Sequence, residues 1–425
     1  VEIPEDKSSY GSFNRLADES EANVRAIIEA AASSGAPHGS TEQKIGDLFA
    51  SFMDTEAIEA AGAAPLKPVF ERIDQVTDKD SLVDLLGVHL TNGIGGPLGI
   101  FVAVDRGNPS SYVMHLFQSG IGLPDESYYR LPEHEELRSK YVDFMTRMFE
   151  LAGVGGTAEA EQVFAFETTL ASTHWERTAT RDAVKTYNPK TAEELTALLP
   201  IAPRLFASGG IAEQAWSKTV VMMPDVAEAV ARLLDEVDVE TWKQWCRWKA
   251  IASNASYLSE EFVQTSFDFY GRTLSGTPEL RERWKRGVGL VEGVLGEAVG
   301  QLYVEQHYSE RAEAEMTVLV DNLIEAYRER ISALDWMADE TRERALAKLS
   351  AFTPKIGKPV KWRDYSSLEI KADDLIGNLQ RTAVFSLAYD LNKLAGPVDK
   401  DEWLMTPQTV NAYYNPPMNE IVFPA

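Results

Sequence analysis

The sequence predicts a mainly α-helical protein that ends in a β-hairpin. Three long spans contain no proline, which breaks helix interiors, namely residues 133–188, 225–277 and 279–353. In these three spans apolar residues show helical periodicity, recurring every three or four positions, as expected for helices that bury one face. Near the end of the chain, two runs rich in β-branched and aromatic residues flank a proline-containing turn, which indicates a hairpin.

The first helix is predicted over residues 133–152, with Gly153 at the position of a C-terminal cap. A second helix is predicted over residues 312–334, and a third from near Asp335 to Phe352. The apolar stripes of the first two helices are Leu137, Tyr141, Met145, Met148, Ala152, Met316, Val320, Leu323, Tyr327, Ile331 and Leu334.

The two hairpin strands are predicted at residues 407–414 (PQTVNAYY) and 420–423 (EIVF), joined by a turn with the sequence NPPMN. Strand signals are sparse elsewhere. Irregular connections are predicted at 92–99, 105–111, 203–210 and 354–365.

The composition is that of a globular protein. Of 425 residues, 44% are hydrophobic and 25% are charged, which excludes a mostly disordered or collagen-like chain. The formal net charge is −25, so nucleic acid and anionic membranes would be repelled. Cys246 is the single cysteine, so no disulfide can form within the chain. No run approaches the roughly 18 apolar residues of a membrane span.

Both ends of the chain are expected to be cut. The first residue is valine, no basic start precedes an apolar stretch, and the chain stops directly after a strand-like run. We therefore expect a soluble protein, cytoplasmic or exported, from which flanking segments have been removed.

No metal or nucleotide site is visible in the sequence. The stretches 93–98 (GIGGPL) and 287–292 (GVGLVE) lack the final glycine of a dinucleotide fingerprint. The segment 134–138 (HEELR) has Arg138 where a zinc-binding HExxH helix needs its second histidine, so we interpret it as a charged helix face. The six histidines include no pair at metal-ligand spacing. His174 follows an apolar stripe and is interpreted as a core residue.

Three tryptophans at a spacing of three, Trp242, Trp245 and Trp248, have basic residues between them. They could stack the bases of a nucleic acid. The same spacing is typical of a buried helix face, and the negative net charge favours this second interpretation.

The hairpin carries the most specific candidate chemistry. An exposed edge strand offers backbone N–H and C=O groups to an extended peptide. The carboxamide of Asn411 can donate to and accept from a peptide backbone, and Ala412 has almost no side chain to obstruct a close approach. The alternative is an ordinary hairpin packed within a sheet, which spacing alone favours.

Residues 411–425 (NAYYNPPMNEIVFPA) resemble the Asn-Ala-Tyr/Phe-Tyr block of the neprilysin family of zinc endopeptidases, which includes neprilysin, endothelin-converting enzyme and bacterial PepO-type enzymes. Six further segments resemble this family in the same order, so the resemblance covers essentially the whole chain. They are IPEDKSSYGSF (3–13), SGIGLPDESYY (119–129), RWKRGV (283–288), LGEAVGQLYVEQHY (295–308), LDWMADETRERALAKL (334–349) and PKIGKPVKWRDY (354–365). The scarcity of cysteine is similar to that of a bacterial member.

The resemblance implies two mainly helical lobes around a large cavity, with a catalytic lobe similar to thermolysin. It implies a zinc-dependent endopeptidase that cleaves peptides inside the cavity, with zinc held by the two histidines of HExxH and a later glutamate. The glutamate within HExxH would activate the zinc-bound water. In the family this motif lies downstream of the hairpin block. We therefore expect the zinc ligands and the catalytic residues beyond Ala425, and none of them in this chain.

The same resemblance assigns substrate-binding residues. Asn411 and Ala412 would bind the substrate backbone, and Tyr413 would lie beside the substrate residue N-terminal to the scissile bond. Phe13 matches a retained residue near the substrate cavity. Ser9 and Ala17 stand where mammalian members carry arginines, so a preference for gripping a substrate carboxylate and releasing dipeptides is not expected.

We expect residues 1–20 to contribute near the cavity, residues 21–375 to form a helical capping lobe, and residues 376–425 to begin the catalytic lobe with its first β-hairpin. The expected partners are peptide substrates and the C-terminal catalytic segment, as a second chain or as a continuation, without nucleic acid or a membrane span. The rival hypothesis is a non-catalytic helical peptide-binding or interaction module that has lost the zinc site. A third hypothesis is a structural fragment that is unstable without its partner, which would expose apolar surface where its sheet should continue.

Overall fold

Helices dominate the fold, as the sequence predicts. The computed structural model describes residues 3–425, so residues 1 and 2 of the expected N-terminal segment lie outside the described residues. The helices are α1 (Ser12–Ser33), α2 (Thr41–Met53), α3 (Thr55–Ala61), α4 (Lys67–Asp74), α5 (Lys79–Thr91), α6 (Ser127–Arg130), α7 (Glu135–Ala152), α8 (Thr157–Ala171), α9 (Ala192–Leu198), α10 (Ala202–Ser208), α11 (Pro224–Glu236), α12 (Val239–Asn254), α13 (Glu260–Ser266), α14 (Arg283–His307), α15 (Glu310–Ser332), α16 (Asp339–Ser350) and α17 (Leu375–Lys393). The strands are β1 (Leu98–Asp105), β2 (Asn108–Gln118), β3 (Pro189–Thr191), β4 (Lys218–Val221), β5 (Thr353–Gly357), β6 (Tyr413–Asn415) and β7 (Glu420–Pro424).

The first predicted helix is confirmed as α7. Tyr141, Met145 and Met148 of its predicted stripe are fully buried. Gly153 follows the helix with a φ of 67°, a left-handed conformation that glycine adopts without steric cost. Its N–H donates to the carbonyl of Glu150 at 3.0 Å, which closes the last turn.

The second predicted helix is confirmed as α15, and the third as α16. The third begins at Asp339 instead of near Asp335. Arg342 explains the difference, because its guanidinium donates to the carbonyls of Leu334 (2.7 Å) and Met337 (2.9 Å) and so holds the intervening residues as a loop.

Strands contribute more than the sequence predicted. β1 and β2 form an antiparallel ribbon within a four-stranded sheet of order β1-β2-β4-β3. The prediction of an irregular connection at 105–111 is wrong. These residues form the tight turn of the ribbon and the start of β2. Val102 pairs with Met114 and Val104 with Tyr112 across the ribbon. Such cross-strand apolar pairs stabilise the two strands. The residues of the turn, taken alone, indicate only a loop.

Two other predicted connections also contain regular structure. Most of 203–210 is helix α10, in which Pro203 occupies the first turn, where its missing N–H costs no helical hydrogen bond. The segment 354–365 begins within β5 and becomes irregular after Gly357. The connection predicted at 92–99 is irregular until β1 begins at Leu98.

The core has two parts. The larger cluster lies between residues 66 and 269, with Ile376 added from α17. Trp242, Trp245 and Trp248 are fully buried within it, so core packing of the three tryptophans is confirmed. The second cluster joins α1, α2 and α14 to residues 368–375. Among residues 3–425, none of the helices has both the length and the apolar character to cross a membrane.

His89 in α5 is a buried histidine that makes the stability of the larger core depend on pH. It is 1% exposed, and neither ring nitrogen has a hydrogen-bond partner among the described residues. Burial lowers the pKa of His89 from 6.5 to about 4, with a smaller contribution from the positive charge of Arg72. Between pH 6.5 and 4 the unfolded chain therefore binds more protons than the folded one, and stability falls as the pH falls.

We predict that His89→Leu reduces this acid sensitivity. When the pH falls from 7 to 4.5, His89 should lower the free energy of unfolding of the wild type by about 2–3 kcal/mol. The variant should not show this decrease. Urea unfolding at the two pH values measures the difference. His38→Leu is the control, because His38 is exposed. An equal loss of stability in the His89→Leu variant and the wild type would contradict the prediction.

Candidate functional site

The predicted C-terminal hairpin is present as β6 and β7, which pair antiparallel with Tyr413 opposite Val422. β7 also pairs in parallel with β5, so the sheet has the order β5-β7-β6 and β6 lies at its edge among the described residues. Asn419 ends the turn with a φ of 50°, a left-handed conformation that asparagine tolerates better than most residues. Its side-chain amide donates to the carbonyl of Lys348 near the end of α16 at 2.9 Å.

The first hairpin strand is shorter than predicted. Residues 407–412 are irregular and only the last predicted residues belong to β6. The N–H of Thr409 donates to the carbonyl of Thr406 (3.0 Å), and the two threonine hydroxyls bond each other at 2.8 Å. The N–H of Asn411 donates to the Thr409 carbonyl at 2.9 Å. These bonds satisfy backbone groups locally that a strand would offer to its neighbour.

Asn411 and Ala412 lie exposed directly before β6. The N–H of Ala412 donates to the Oδ1 atom of Asn411 at 2.8 Å. A peptide carbonyl can compete for this N–H, which frees the Asn411 carboxamide to bond the peptide as well. Tyr413 is half-buried, its hydroxyl accepts from the N–H of Leu404 at 2.9 Å, and burial raises its pKa.

Phe13 lies in the first turn of α1 and is 72% exposed. Ser20 is seven residues further along, which is two helical turns, so both residues are on the same face of α1. The Ser20 hydroxyl donates to the backbone carbonyl of Gln408 at 2.8 Å. Phe13 is therefore about 10 Å along the helix axis from the segment that leads into Asn411.

A buried ion pair joins β5 to β7. The Nζ atom of Lys355 is 2.7 Å from Oε2 of Glu420, and these side chains are 9% and 2% exposed. Lys355 also donates to the backbone carbonyl of Glu402 at 2.8 Å, and the amide of Asn415 donates to Oε1 of Glu420 at 3.3 Å. Each charge thus has several partners in place of water, and loss of either residue would leave the other charge unpaired.

Glu402 connects the hairpin region to the helical part of the molecule. Its carboxylate accepts from the hydroxyl of Tyr112 in β2 at 2.9 Å and pairs with Lys393 of α17 at 2.5 Å. Burial, followed by the charge of Glu402, raises the pKa of Tyr112, so its phenol remains a donor. The sequence did not indicate Glu402, because a single carboxylate before a strand does not show which residues it will contact.

No group of three histidine, cysteine, aspartate or glutamate side chains in the described range 3–425 is arranged to hold a metal ion. The HEELR segment is instead structural. Arg138 donates to the carbonyls of Tyr128 (3.0 Å) and Leu131 (2.7 Å), and His134 stacks on Tyr128 with ring centroids 4.2 Å apart. Both side chains fix the turn that precedes α7.

An apolar groove of about 420 Å³ lies between α15, α16 and the hairpin. Of these two amphipathic helices, α15 buries only Val320 and α16 buries no residue. Three of the aromatic and aliphatic residues that line the groove remain 40–56% exposed, namely Leu323, Tyr327 and Tyr414. The periodicity of α15 predicted a helix with an apolar face, but that face has little cover within the described part of the chain.

Known proteins match this chain over its whole length. A model of peptidase family M13 matches residues 1–359. Endothelin-converting enzyme 1 of Homo sapiens is 30% identical over 449 aligned residues, which cover 100% of this chain and 57% of that protein. Endothelin-converting enzyme-like 1 of Mus musculus is 26% identical with the same two coverages. The chain therefore spans somewhat more than half the length of these curated relatives.

Solved structures match the fold closely. Zinc metalloprotease ZMP1 of Mycobacterium tuberculosis in complex with an inhibitor is 47% identical, with a TM-score of 0.96 over 100% of this chain and 65% of that chain. The same protease in its open state gives a TM-score of 0.91, with 67% of that chain covered. PepO from Lactobacillus rhamnosis is 22% identical with a TM-score of 0.87 over 100% of this chain and 68% of that chain, which supports the fold alone.

Proposed function

The chain belongs to peptidase family M13, and from this membership we propose that it supplies the helical part and the substrate-binding hairpin of a zinc-dependent endopeptidase. The membership confirms the resemblance to the neprilysin family that the sequence predicts. Peptides would be cleaved within a closed cavity, which the helical part would cap and from which large folded proteins would be excluded.

The observation that carries the proposal is the edge position of β6, with Asn411 and Ala412 exposed directly before it. An extended peptide can add to such an edge through backbone hydrogen bonds, which orient it without demanding a particular sequence. In this proposal the Asn411 carboxamide and the backbone of Ala412 bind the substrate backbone.

Two further residues would shape the substrate site. Tyr413, anchored through its hydroxyl to the Leu404 N–H, would lie beside the substrate residue N-terminal to the scissile bond. Phe13 offers an exposed aromatic surface to a substrate side chain. Ser9 and Ala17 are exposed and uncharged, which supports the expectation that neither position grips a substrate carboxylate.

The described residues do not fit a zinc site, since they contain no suitable ligand group. We therefore assign this chain no step at the metal. Its own groups would bind and align the peptide backbone, while the zinc ligands and the base that activates water would belong to polypeptide beyond Ala425, either a continuation or a second chain.

The exposed groove between α15, α16 and the hairpin supports this arrangement. Apolar stripes on two neighbouring helices are normally buried against another part of the protein. The polypeptide that carries the zinc ligands would cover the groove and extend the sheet. The proposed division into residues 1–20, 21–375 and 376–425 places this surface next to the start of the catalytic lobe. α1 crosses the first boundary and α17 the second, so continuous helices connect the three parts.

The proposal predicts chelator-sensitive peptide hydrolysis by the complete protein. Unstructured peptides should be cleaved, a zinc chelator should abolish cleavage, and added zinc should restore it. The rival hypothesis of a non-catalytic peptide-binding module predicts peptide binding without cleavage. Cleavage that is indifferent to the chelator would contradict the zinc-dependent mechanism.

A further inference from the structure

Gln408 lies between two helices three residues before Asn411. It is 4% exposed, although glutamine is normally a surface residue. Its Nε2 atom donates to the carbonyl of Gly296 in α14 at 3.0 Å, and its own backbone carbonyl accepts from the Ser20 hydroxyl of α1 at 2.8 Å. One residue therefore bonds α14 through its side chain and α1 through its main chain.

The surface of α14 is shaped to receive this segment. The helix bends at Leu295, whose φ and ψ of −119° and 26° are not helical. Gly296 and Gly300 face the segment so closely that a Cβ atom on Gly296 would lie 2.8 Å from the side chain of Thr406. A Cβ atom on Gly300 would lie 2.8 Å from the Gln408 side chain. A Cβ atom at either position would therefore force the facing side chains of the segment to shift.

A series of hydrogen bonds leads from the segment around the buried Gln408 to the exposed residues Asn411 and Ala412. Thr409 closes a turn onto Thr406, the N–H of Asn411 donates to the Thr409 carbonyl, and the N–H of Ala412 donates to the Asn411 side chain. Local hydrogen bonds therefore connect the residues between the buried Gln408 and the exposed Ala412.

We propose that Gln408 is a positioning residue that sets the register of Asn411 and Ala412 relative to α1 and its exposed Phe13. This inference rests on the proposed role of Asn411 and Ala412 in binding a peptide backbone. Without the bond to Gly296 the segment would keep only its packing contacts with α14, and Asn411 and Ala412 would sample several registers. A peptide would then have to order Asn411 and Ala412 when it binds, and the entropy lost in doing so would weaken its affinity.

The test compares Gln408→Met with the wild type in the complete protein. Methionine matches the length of glutamine but cannot donate to Gly296. We expect KM for a peptide substrate to rise about tenfold with kcat within about twofold, and hydrogen exchange at residues 409–413 to become at least about tenfold faster while exchange in α7 is unchanged. Gln162→Met is the matched control, because it removes one side-chain amide bond, to Thr241 (2.8 Å), from a different part of the fold.

Ser20 provides a second, milder variant. Ser20→Ala should speed exchange at residues 409–413, and Ser20→Thr, which keeps the hydroxyl, should restore the wild-type rate. Normal hydrolysis by the wild type, with KM and exchange unchanged in Gln408→Met, would overturn this inference alone. Absence of hydrolysis in the wild type would overturn the proposed function, whether or not Gln408 orders the segment.

Discussion

Replacement of Glu420 by alanine is expected to lower the free energy of unfolding by about 3–5 kcal/mol. Lys355 and Glu420 are buried between β5 and β7, and their charged atoms are 2.7 Å apart. Without Glu420 the Lys355 ammonium would remain buried with the carbonyl of Glu402 as its remaining partner. Chemical unfolding of the variant, measured at neutral pH, checks the prediction.

Two comparisons separate the charge from other effects of truncation. Glu315→Ala removes an ion pair of the same length, 2.7 Å, from the exposed face of α15, where Arg311 and Glu315 are 86% and 66% exposed. That loss should stay below about 1 kcal/mol. Pairing Glu420→Ala with Lys355→Met should recover part of the stability, because no unpaired charge remains. A Glu420→Ala loss as small as that of Glu315→Ala would show that the buried pair does not hold β5 to β7.

Replacement of Asn411 by alanine is expected to lower kcat/KM for peptide hydrolysis by the complete protein about 10- to 100-fold. The variant lacks the carboxamide that is proposed to bond the substrate backbone. Its stability should change little, because Asn411 is exposed and its side chain bonds only the neighbouring Ala412 N–H in the described structure. Steady-state kinetics on an unstructured peptide, together with thermal unfolding, measure both quantities.

Asn392→Ala is the matched control for this experiment. Asn392 is also exposed, lies on α17, and has no proposed contact with substrate. Its kcat/KM should stay within about twofold of the wild type. If Asn411→Ala also retained wild-type kinetics and peptide affinity, the assigned role of Asn411 would be wrong.

The helices were predictable because a helix is largely a local structure. The stripe of α7 and the glycine that ends it are within 19 residues of each other, so the sequence contains both signals. The ribbon of β1 and β2 was missed because its stability comes from pairs such as Val102 with Met114, which only appear once the strands are aligned. The stripe of α15 predicted a helix, but periodicity does not show whether an apolar face is covered.

The same distinction applies to the candidate site. Asn411 and Ala412 could be selected from a local run with specific composition and a family resemblance. Gln408 could not, because its bonding partners Ser20 and Gly296 are 388 and 112 residues away in the sequence. The prediction of a strand through residues 407–412 was wrong for a related reason. Hydrogen bonds within this segment replace the inter-strand hydrogen bonds that its composition favours.

The most direct test of the proposed function is a denaturing intact-mass spectrum of the native preparation, combined with its zinc content. We expect polypeptide beyond the 47.2 kDa of this chain, as a longer chain or a second one, with an HExxH sequence and about one zinc ion per molecule. A single 47.2 kDa species without zinc would contradict it and would favour the non-catalytic peptide-binding module.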